Sequence, residues 1–348
     1  MSPAAANLLQ SVADALAGPA VVTDGNLRIL VHNQPARDVA ANLRNGGPLA
    51  LGIRAPDILS AGRTVAVGGG AQQIIWNESP PAARMFDVRI APIDLEGNRG
   101  VMFTMRDMSE SRRVEKMRTD FIANASHELR TPLASILGFV ETLQGPARDD
   151  PAAREQFLGV MADQGRRMAR LIDDLLSLSR IEQNLHVRPQ TTVDLVAVVR
   201  HVCDTLAPTA SDNNVRVEID MPPQANVTGD RDELVRVAEN LIENAIKYSA
   251  ADDGSARTVT VSISETGAAY KFCVRDNGPG IAPEHLTRLT ERFYRVDAPA
   301  SRAKGGTGLG LAIVKHIVAR HRGRFLIDSK VGEGSVFSIV LDAAQNSQ

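Results

Sequence analysis

The spacing of hydrophobic positions changes twice along this chain and divides it into three regions. In residues 1–107, short apolar runs alternate with turn residues. The runs Pro19–Thr23 and Leu27–Val31 flank Asp24–Gly25, which is a hairpin signature. The other elements expected here are one helix and two strands: Pro35–Leu43, Met85–Pro92 and Gly100–Arg106. This alternation predicts a small α/β module.

Residues 108–184 carry a heptad pattern that is typical of packed helices. The first helix repeats at alternating spacings of four and three: Ile122, Ser126, Leu129, Leu133, Ile136, Val140 and Leu143. After turn signals at Gly145–Pro146 and Asp149–Pro151, a second helix shows a similar seam: Phe157, Met161, Gln164, Met168, Leu171, Leu175 and Leu178. Two antiparallel helices with one seam each cannot bury both seams alone. We therefore expect a homodimer that forms a four-helix bundle.

Residues 185–345 alternate between strand and helix patterns, which indicates an α/β domain with a mixed sheet. The expected strands are Val215–Ile219, Thr258–Ser264, Tyr270–Arg275, Phe325–Ser329 and Val336–Leu341. The expected helices are Arg231–Lys247 and Leu309–Arg320. The fold class predicted for the whole chain is multidomain α+β.

Composition narrows the function classes. The 348 residues are 43% hydrophobic and 23% charged, as in an ordinary globular protein of two or three domains. A net charge of −2 and 4% aromatic residues argue against a nucleic-acid partner. Cys203 and Cys273 form no C-x-x-C pair and are expected to be reduced thiols. No signal peptide or transmembrane run is recognisable, so we expect a soluble, cytoplasmic chain, with association to the inner membrane through a partner left open.

A histidine on the first helix of the second region is the first candidate for chemistry. With Leu129 at heptad position d, His127 falls at the solvent-facing position b, and Thr131 lies one turn later on the same face. The neighbouring Glu128 is able to accept the Nδ1 proton and so raise the nucleophilicity of Nε2. Pro132 removes a helical N–H and is expected to kink the helix.

Three motifs in the last region are suited to binding a nucleotide. Asn240, Asn244 and Lys247 share one helix face, where amide oxygens suit Mg²⁺ and an ammonium suits phosphate. Asp276 precedes Gly278 and Gly280, an arrangement that lets a flat ring approach the backbone. The run Gly305–Leu311 leads into a helix whose N-terminus attracts phosphate. Asp297–Lys304, before it, is expected to form a mobile lid.

Taken in this order, the motifs resemble those of the sensor histidine kinases of two-component systems. They are His127-Glu-x-x-Thr-Pro, Asn240-x-x-x-Asn, Asp276-x-Gly-x-Gly, Glu291-Arg-Phe-Tyr-Arg and Gly306-x-Gly-x-Gly. The resemblance covers about residues 108–345. The flanks of the histidine, Phe121–Ser126 and Gly138–Leu143, are most like the PhoR-type phosphate-regulon sensors.

The resemblance implies three domains. Residues 1–107 correspond to a PAS-like sensor module, 108–184 to the dimerisation and histidine-phosphotransfer hairpin, and 185–345 to the ATP-binding sandwich shared with gyrase and Hsp90. It also implies ATP and Mg²⁺ as cofactors and a response-regulator receiver domain as partner.

The resemblance further assigns roles to single residues. His127 is implied as the phosphoacceptor, Glu128 as its general base and Thr131 as the residue that positions water for dephosphorylation of the partner. Asn244 is implied as the Mg²⁺ ligand. The other implied nucleotide-binding residues are Asn240, Lys247, Tyr248, Asp276, Gly278, Gly280, Gly306, Thr307, Gly308, Leu309 and Gly310, with either Arg292 or Arg295 reaching the γ-phosphate.

Two other readings of the motifs remain open. An ATPase clamp of the gyrase and Hsp90 type would need a glutamate to activate water, for which Glu239 and Glu243 are candidates. In a non-catalytic scaffold, the hairpin would serve only to dimerise the chain. The stimulus is not indicated by the sequence, and His32 is expected on a strand surface rather than as a haem ligand.

Overall fold

The structure is a computed structural model that describes residues 2–78, 84–249, 257–297 and 306–344. By their contacts the residues divide into two compact units, Met1–Ile122 and Ala123–Gln348. Within the described residues, no helix combines the length and the apolar character needed to cross a membrane.

The first unit contains a five-stranded antiparallel sheet. Along the chain, one helix precedes the first strand and two helices lie between the second and third strands. Its elements are α1 (Pro3–Ala15), β1 (Ala20–Thr23), β2 (Ile29–His32), α2 (Gln34–Val39), a short 3-10 turn (Leu49–Leu51), α3 (Pro56–Ala66), β3 (Gln72–Asn77), β4 (Met85–Leu95) and β5 (Asn98–Asp107). The strands follow the order β2-β1-β5-β4-β3. The expected hairpin is present, because β1 pairs antiparallel with β2 around Asp24, whose Oδ1 accepts hydrogen bonds from the amides of Asn26 and Arg28.

The core of this unit lies between the sheet and α2 and α3. Phe86 and Phe103 from the sheet and Ile58 from α3 belong to one buried cluster. His32 is 6% exposed, so the expectation of a surface position was wrong. It ends β2 directly before Asn33, whose side chain caps α2.

Two long helices form the hairpin, α4 (Ser109–Gln144) and α5 (Pro151–Gln183). The side chain of Asp150 caps α5 by accepting hydrogen bonds from two amides of its first turn, and Pro151 begins the helix without needing an amide partner. Helix α4 continues through Pro132, which is buried. The turn between the helices lies where the sequence predicted it.

Large apolar side chains of the hairpin, in and beside the expected seams, are only partly covered within one chain. Several large side chains are between 44% and 57% exposed: Ile122, Leu133 and Leu137 on α4, and Leu158, Ile172 and Leu176 on α5. By contrast, Leu171 and Leu178 of the second seam are buried. The second seam therefore packs partly against the rest of its own unit.

The remaining elements build the α/β region of the second unit. They are β6 (Thr192–Asp194), α6 (Leu195–Asp212), β7 (Val215–Asp220), β8 (Asn226–Thr228), α7 (Arg231–Ser249), β9 (Arg257–Thr266), β10 (Ala269–Asp276), α8 (Pro283–Leu286), α9 (Gly310–Arg320), β11 (Arg324–Lys330) and β12 (Gly334–Asp342). The main sheet has the order β11-β12-β10-β9-β7. Since β7 and β9 are parallel and the other pairs are antiparallel, the expected mixed sheet is present.

Packing joins this sheet to α7 and α9 and joins α9 to the hairpin. Helix α7 contacts β9 and β10, and α9 contacts β11, α7 and α5. Cys203 lies buried on α6, where burial raises the pKa of its thiol to about 11, and Cys273 is half-buried on β10. Both cysteines are free, as the sequence predicted.

Candidate active site

A cavity of about 590 Å³ opens beside α7 and brings most of the expected nucleotide-binding residues together. Its volume lies within the range of about 300–1,000 Å³ that is usual for small-molecule sites. The expected residues that line it are Asn240, Asn244, Lys247, Tyr248, Asp276, Gly280, Arg295, Gly306, Thr307, Gly308 and Gly310. Gly278, Arg292 and Leu309 lie outside its lining.

Helix α7 supplies the polar wall of the cavity because its apolar face is turned into the core. Asn240, Asn244 and Lys247 recur at helical spacing on the opposite face. The Asn240 Nδ2 donates to the carbonyl of Arg236 at 2.7 Å, which fixes the orientation of this amide. The Lys247 Nζ lies 2.7 Å from Glu243 Oε1. The ammonium that was expected to meet phosphate is therefore held at the cavity wall.

Asp276 is a buried carboxylate at the end of β10. Its side chain is 5% exposed, and Oδ1 accepts hydrogen bonds from the amides of Gly278 at 2.9 Å and Ser335 at 3.2 Å. Burial raises the pKa of this carboxyl, and the two amide hydrogen bonds partly oppose the rise. An acceptor held so rigidly in a cavity wall is suited to an amine donor of a ligand.

Two glycines are required by close approaches at the cavity. At Gly280, φ is +69°, and an added Cβ would lie 2.0 Å from the carbonyl oxygen of Lys330. At Gly310, an added Cβ would lie 2.2 Å from Asn240 Oδ1. Any side chain at either position would displace the neighbouring strand or the Asn240 amide.

The loop before α9 is tied to the segment around Phe293. The Phe293 amide donates to the carbonyl of Gly308 at 2.8 Å, and Gly308 has a φ of +74°. Leu309 is fully buried, so its side chain belongs to the core, although its amide donates to the Thr307 hydroxyl at 3.3 Å. The expectation that Leu309 lines the nucleotide site was wrong for its side chain. The expected lid lies mainly outside the described residues, as does Gly305.

The cavity has the groups that a nucleoside triphosphate requires. Asp276 offers a buried acceptor for a base amine, and the first amides of α9 open towards the loop that would carry phosphates. The side chain of Asn244 lines the same cavity, and amide oxygens are suitable ligands for Mg²⁺. The residues that are present therefore fit both a nucleoside triphosphate and Mg²⁺.

The structure separates the two candidate arginines. Arg295 lines the cavity, and its side chain is 5% exposed. Arg292 instead pairs with Glu182 near the end of α5 and lies outside the cavity lining. Of the alternatives left by the sequence, Arg295 is the arginine that lies close enough to contact a ligand in the cavity.

His127 is exposed on α4, as its heptad position predicted. The Thr131 hydroxyl donates to the carbonyl of His127 at 3.2 Å, so this residue lies on the same face one turn later. Neither residue lines the cavity. The phosphoacceptor candidate is thus open to solvent and to a second protein.

Glu128 joins the two parts of the site. Arg295 binds its carboxylate with both terminal nitrogens, at 3.3 Å to Oε1 and 2.9 Å to Oε2. Arg167 of α5 lies 3.3 Å from the same Oε2. The carboxylate of Glu128, the expected general base, is therefore paired with two guanidinium groups. One of them, that of Arg295, also lines the nucleotide cavity.

Sequence reasoning missed several lining residues. Three come from the hairpin, which has no local motif that points to a nucleotide: Arg170, Asp173 and Asp174. Others are apolar or lie between motifs: Ile281, Leu289, Ser335 and Phe337. Only Arg236 carried a usable signal, since it precedes Asn240 by four residues on the same helix face.

Two family models match the chain between residues 117 and 345. The His Kinase A (phospho-acceptor) domain matches residues 117–184, and the histidine kinase-, DNA gyrase B- and HSP90-like ATPase matches residues 229–345. The first match contains His127, and the second contains the cavity residues of α7, β10 and α9.

Curated relatives show the same similarity. The chain is 40% identical over 253 residues to the phosphate regulon sensor protein PhoR of Pseudomonas aeruginosa, covering 73% of this chain and 56% of that protein. It is 38% identical over 248 residues to the sensor-like histidine kinase SenX3 of Mycobacterium tuberculosis, covering 71% and 59%. The chain thus spans less than two thirds of the length of these relatives. Among solved structures, the Acinetobacter baumannii histidine kinase AdeS matches with a TM-score of 0.49 and 27% identity, over 63% of this chain and 98% of that one.

Proposed function

Since this chain belongs to the sensor histidine kinases, we propose that it binds ATP in the cavity beside α7 and transfers the γ-phosphoryl group to His127. One observation carries this proposal. Arg295 lines the cavity and also binds Glu128, the neighbour of His127. A nucleotide and the phosphoacceptor helix therefore share a side-chain contact within one unit.

The proposed reaction is an in-line displacement at phosphorus. The Nε2 lone pair of His127 forms the N–P bond, the P–O bond to ADP breaks, and ADP leaves with the bonding electrons. The Nδ1 proton passes to Glu128. Catalysis comes mainly from positioning and from neutralisation of the phosphate charge. Arg295 and Arg167 hold the Glu128 carboxylate next to His127 in this arrangement.

The cavity residues are proposed to hold the substrate. Asp276 accepts a hydrogen bond from the adenine amine, Tyr248 covers the base, and Lys247 meets phosphate. The glycine loop before α9 offers its amides to the phosphates. Asn244, with Asn240 nearby, is proposed to hold Mg²⁺, which when bound neutralises phosphate charge.

Phosphohistidine is proposed to supply an aspartate of a response-regulator receiver domain. The exposed position of His127 supports this, since a second protein has access to it. Thr131, on the same face, is proposed to position water for the reverse dephosphorylation. The similarity to PhoR of Pseudomonas aeruginosa supports phosphate-regulon signalling as the pathway class.

The remaining expectations concern assembly, the first region and location. A homodimer is supported by the exposed apolar side chains of α4 and α5. A separate module in residues 1–107 is supported by its own buried core, and its PAS-type sensor role stays a prediction. The cytoplasmic location and the domain bounds 108–184 and 185–345 stay predictions.

Labelling with γ-labelled ATP and Mg²⁺ tests the proposal. We expect a label that is labile in acid and stable in alkali, and that disappears in His127→Gln while ATP binding remains. His201→Gln is the matched control, because His201 is also an exposed helical histidine whose carbonyl accepts a hydrogen bond from a threonine one turn later, Thr205, at 2.9 Å.

Two outcomes would contradict the assignment. A label retained in His127→Gln would exclude this phosphoacceptor. Steady ATP hydrolysis without any acid-labile label would favour the clamp ATPase, for which Glu239 is the better base, since it lines the cavity and burial raises the pKa of its carboxyl. The other candidate, Glu243, is paired with Lys247.

A further inference from the structure

The hairpin contributes a carboxylate to the wall of the nucleotide cavity. Asp174 lies on α5, and its side chain is 18% exposed. Its Oδ2 accepts a hydrogen bond from the Thr307 hydroxyl at 2.8 Å, and its Oδ1 accepts one from Arg236 Nη2 at 2.7 Å. One side chain of the hairpin is thus bonded both to the glycine loop and to α7.

Both partners of Asp174 are groups that suit a phosphate. Thr307 lies between Gly306 and Gly308 at the N-terminal end of α9, and a helix N-terminus favours anions. Arg236 lines the cavity one turn before Asn240, and its Nε is buried without a hydrogen-bond partner among the described residues. A guanidinium beside such a loop is a strong ligand for phosphate oxygens.

We propose that Asp174 is a positioning residue that competes with the nucleotide for Thr307 and Arg236, and so couples ATP binding to release of the glycine loop from the hairpin. This inference rests on the proposed function, because it requires that polyphosphate enters this cavity. In the arrangement described above, the Asp174 carboxylate holds the loop. When the triphosphate binds Arg236 and the Thr307 hydroxyl, a phosphate replaces the Asp174 carboxylate as their anionic partner. The contact between the hairpin and the glycine loop is then broken.

Charge repulsion opposes simultaneous binding of the Asp174 carboxylate and of a polyphosphate to Thr307 and Arg236. Asp173 and Asp174 both line the cavity, so a polyphosphate in the loop would meet their negative charge at short range. Only Asp174 also holds the two groups that the phosphate needs. The contact between Arg292 and Glu182 lies outside the cavity lining and is not affected by this exchange. Nucleotide binding is therefore expected to loosen the Asp174 contact and to leave the contact between Arg292 and Glu182 in place.

Calorimetric titration of the full chain with a non-hydrolysable ATP analogue, and separately with ADP, tests this competition. We expect Asp174→Ala to bind the ATP analogue roughly fivefold more tightly, because a competing hydrogen-bonded pair worth about 1 kcal/mol is removed. Asp173→Ala is the matched control. It removes the same charge at the same cavity but no hydrogen bond or ion pair of the described residues, so its effect should be clearly smaller.

A double-mutant cycle with Thr307→Val separates the bond from the general charge effect. If Asp174 acts through this hydroxyl, the gain in affinity from Asp174→Ala should shrink in the Thr307→Val background. Equal gains in Asp173→Ala and Asp174→Ala, or no gain in Asp174→Ala, would overturn the inference. Thermal unfolding of each variant verifies that the fold is kept.

The two proposals fail in different ways. If the wild-type chain bound no ATP analogue, the proposed function would be lost and this inference with it. If the wild-type chain bound the analogue and labelled His127, but Asp174→Ala left the affinity unchanged, only the inference would be lost. If Asp174→Ala raised the affinity in a chain that never labelled His127, the competition would stand without the kinase reaction.

Discussion

At the scale of single residues, Asp276 illustrates a cost in folding free energy that comes with the nucleotide site. Its carboxylate is buried, and the pKa is raised because the ionised form loses water on folding. A raised folded-state pKa means that the fold loses stability as the pH rises through this pKa, because burial disfavours the ionised form. The carboxylate proposed to accept from adenine is therefore a group whose burial costs stability.

Asp276→Asn is expected to stabilise the chain and weaken ATP binding. The amide oxygen is still able to accept from the amides of Gly278 and Ser335, but no charge is buried. We expect a melting temperature raised by roughly 2–4 °C and an ATP affinity lowered roughly tenfold or more. Differential scanning calorimetry and nucleotide titration measure both changes. Asp220→Asn, at the exposed end of β7, is the control that should alter neither.

At the scale of elements, His321 joins the end of α9 to the start of α7. Its Nδ1 donates to the carbonyl of Ile317 at 2.8 Å, and its Nε2 accepts from the amide of Asp230 at 3.0 Å. This pattern requires a neutral ring, and burial lowers the pKa of the imidazole, although the nearby Glu233 carboxylate acts in the opposite sense.

The buried imidazole predicts a pH dependence of stability. Because the folded pKa is depressed below the unfolded value of about 6.5, the contribution of His321 is complete above that pH. It is lost as the pH falls from there through the folded pKa. Urea unfolding of the wild-type chain and of His321→Gln between pH 5 and 8 should show a steeper fall for the wild-type chain below about pH 6.5. Parallel curves would contradict this assignment.

The elements that were predicted from the sequence are those with one dominant period. Helix α7 and strand β10 have clear apolar and polar faces, and both lie close to their expected bounds. Helix α6 was missed because its buried run is rich in valine, which reads as strand, and because Pro208 lies inside it. Strands β6 and β8 were missed because three residues are too few to show alternation.

At the scale of the whole molecule, contacts between the hairpin and the ATP-binding region were beyond the reach of local patterns. Three hairpin carboxylates each meet an arginine of that region: Glu128 with Arg295, Asp174 with Arg236, and Glu182 with Arg292. The partners are separated by 167, 62 and 110 residues along the chain. No motif spans such distances. Local motifs therefore located the site residues but not the ion pairs between the hairpin and the ATP-binding region.

The exposed apolar side chains of the hairpin predict the assembly. Leu137 on α4 is 54% exposed, and a charge placed there should oppose association of two hairpins. We expect the wild-type chain to be dimeric and Leu137→Glu to weaken the dimer by roughly 100-fold or more, as measured by light scattering over a dilution series. Leu51→Glu is the control, because Leu51 is similarly exposed, at 57%, outside the hairpin. A monomeric wild-type chain would contradict the expectation.

The tight approach at Gly280 has a consequence for inheritance. Every single-base change of a glycine codon that alters the amino acid introduces a Cβ atom, and here that atom would lie 2.0 Å from the carbonyl oxygen of Lys330. Chemical similarity between the old and new residue gives no protection, since alanine fails for the same steric reason as tryptophan. Lineages that change this position are therefore expected to lose altogether the turn proposed to bind adenine, rather than to pass through intermediate versions of it.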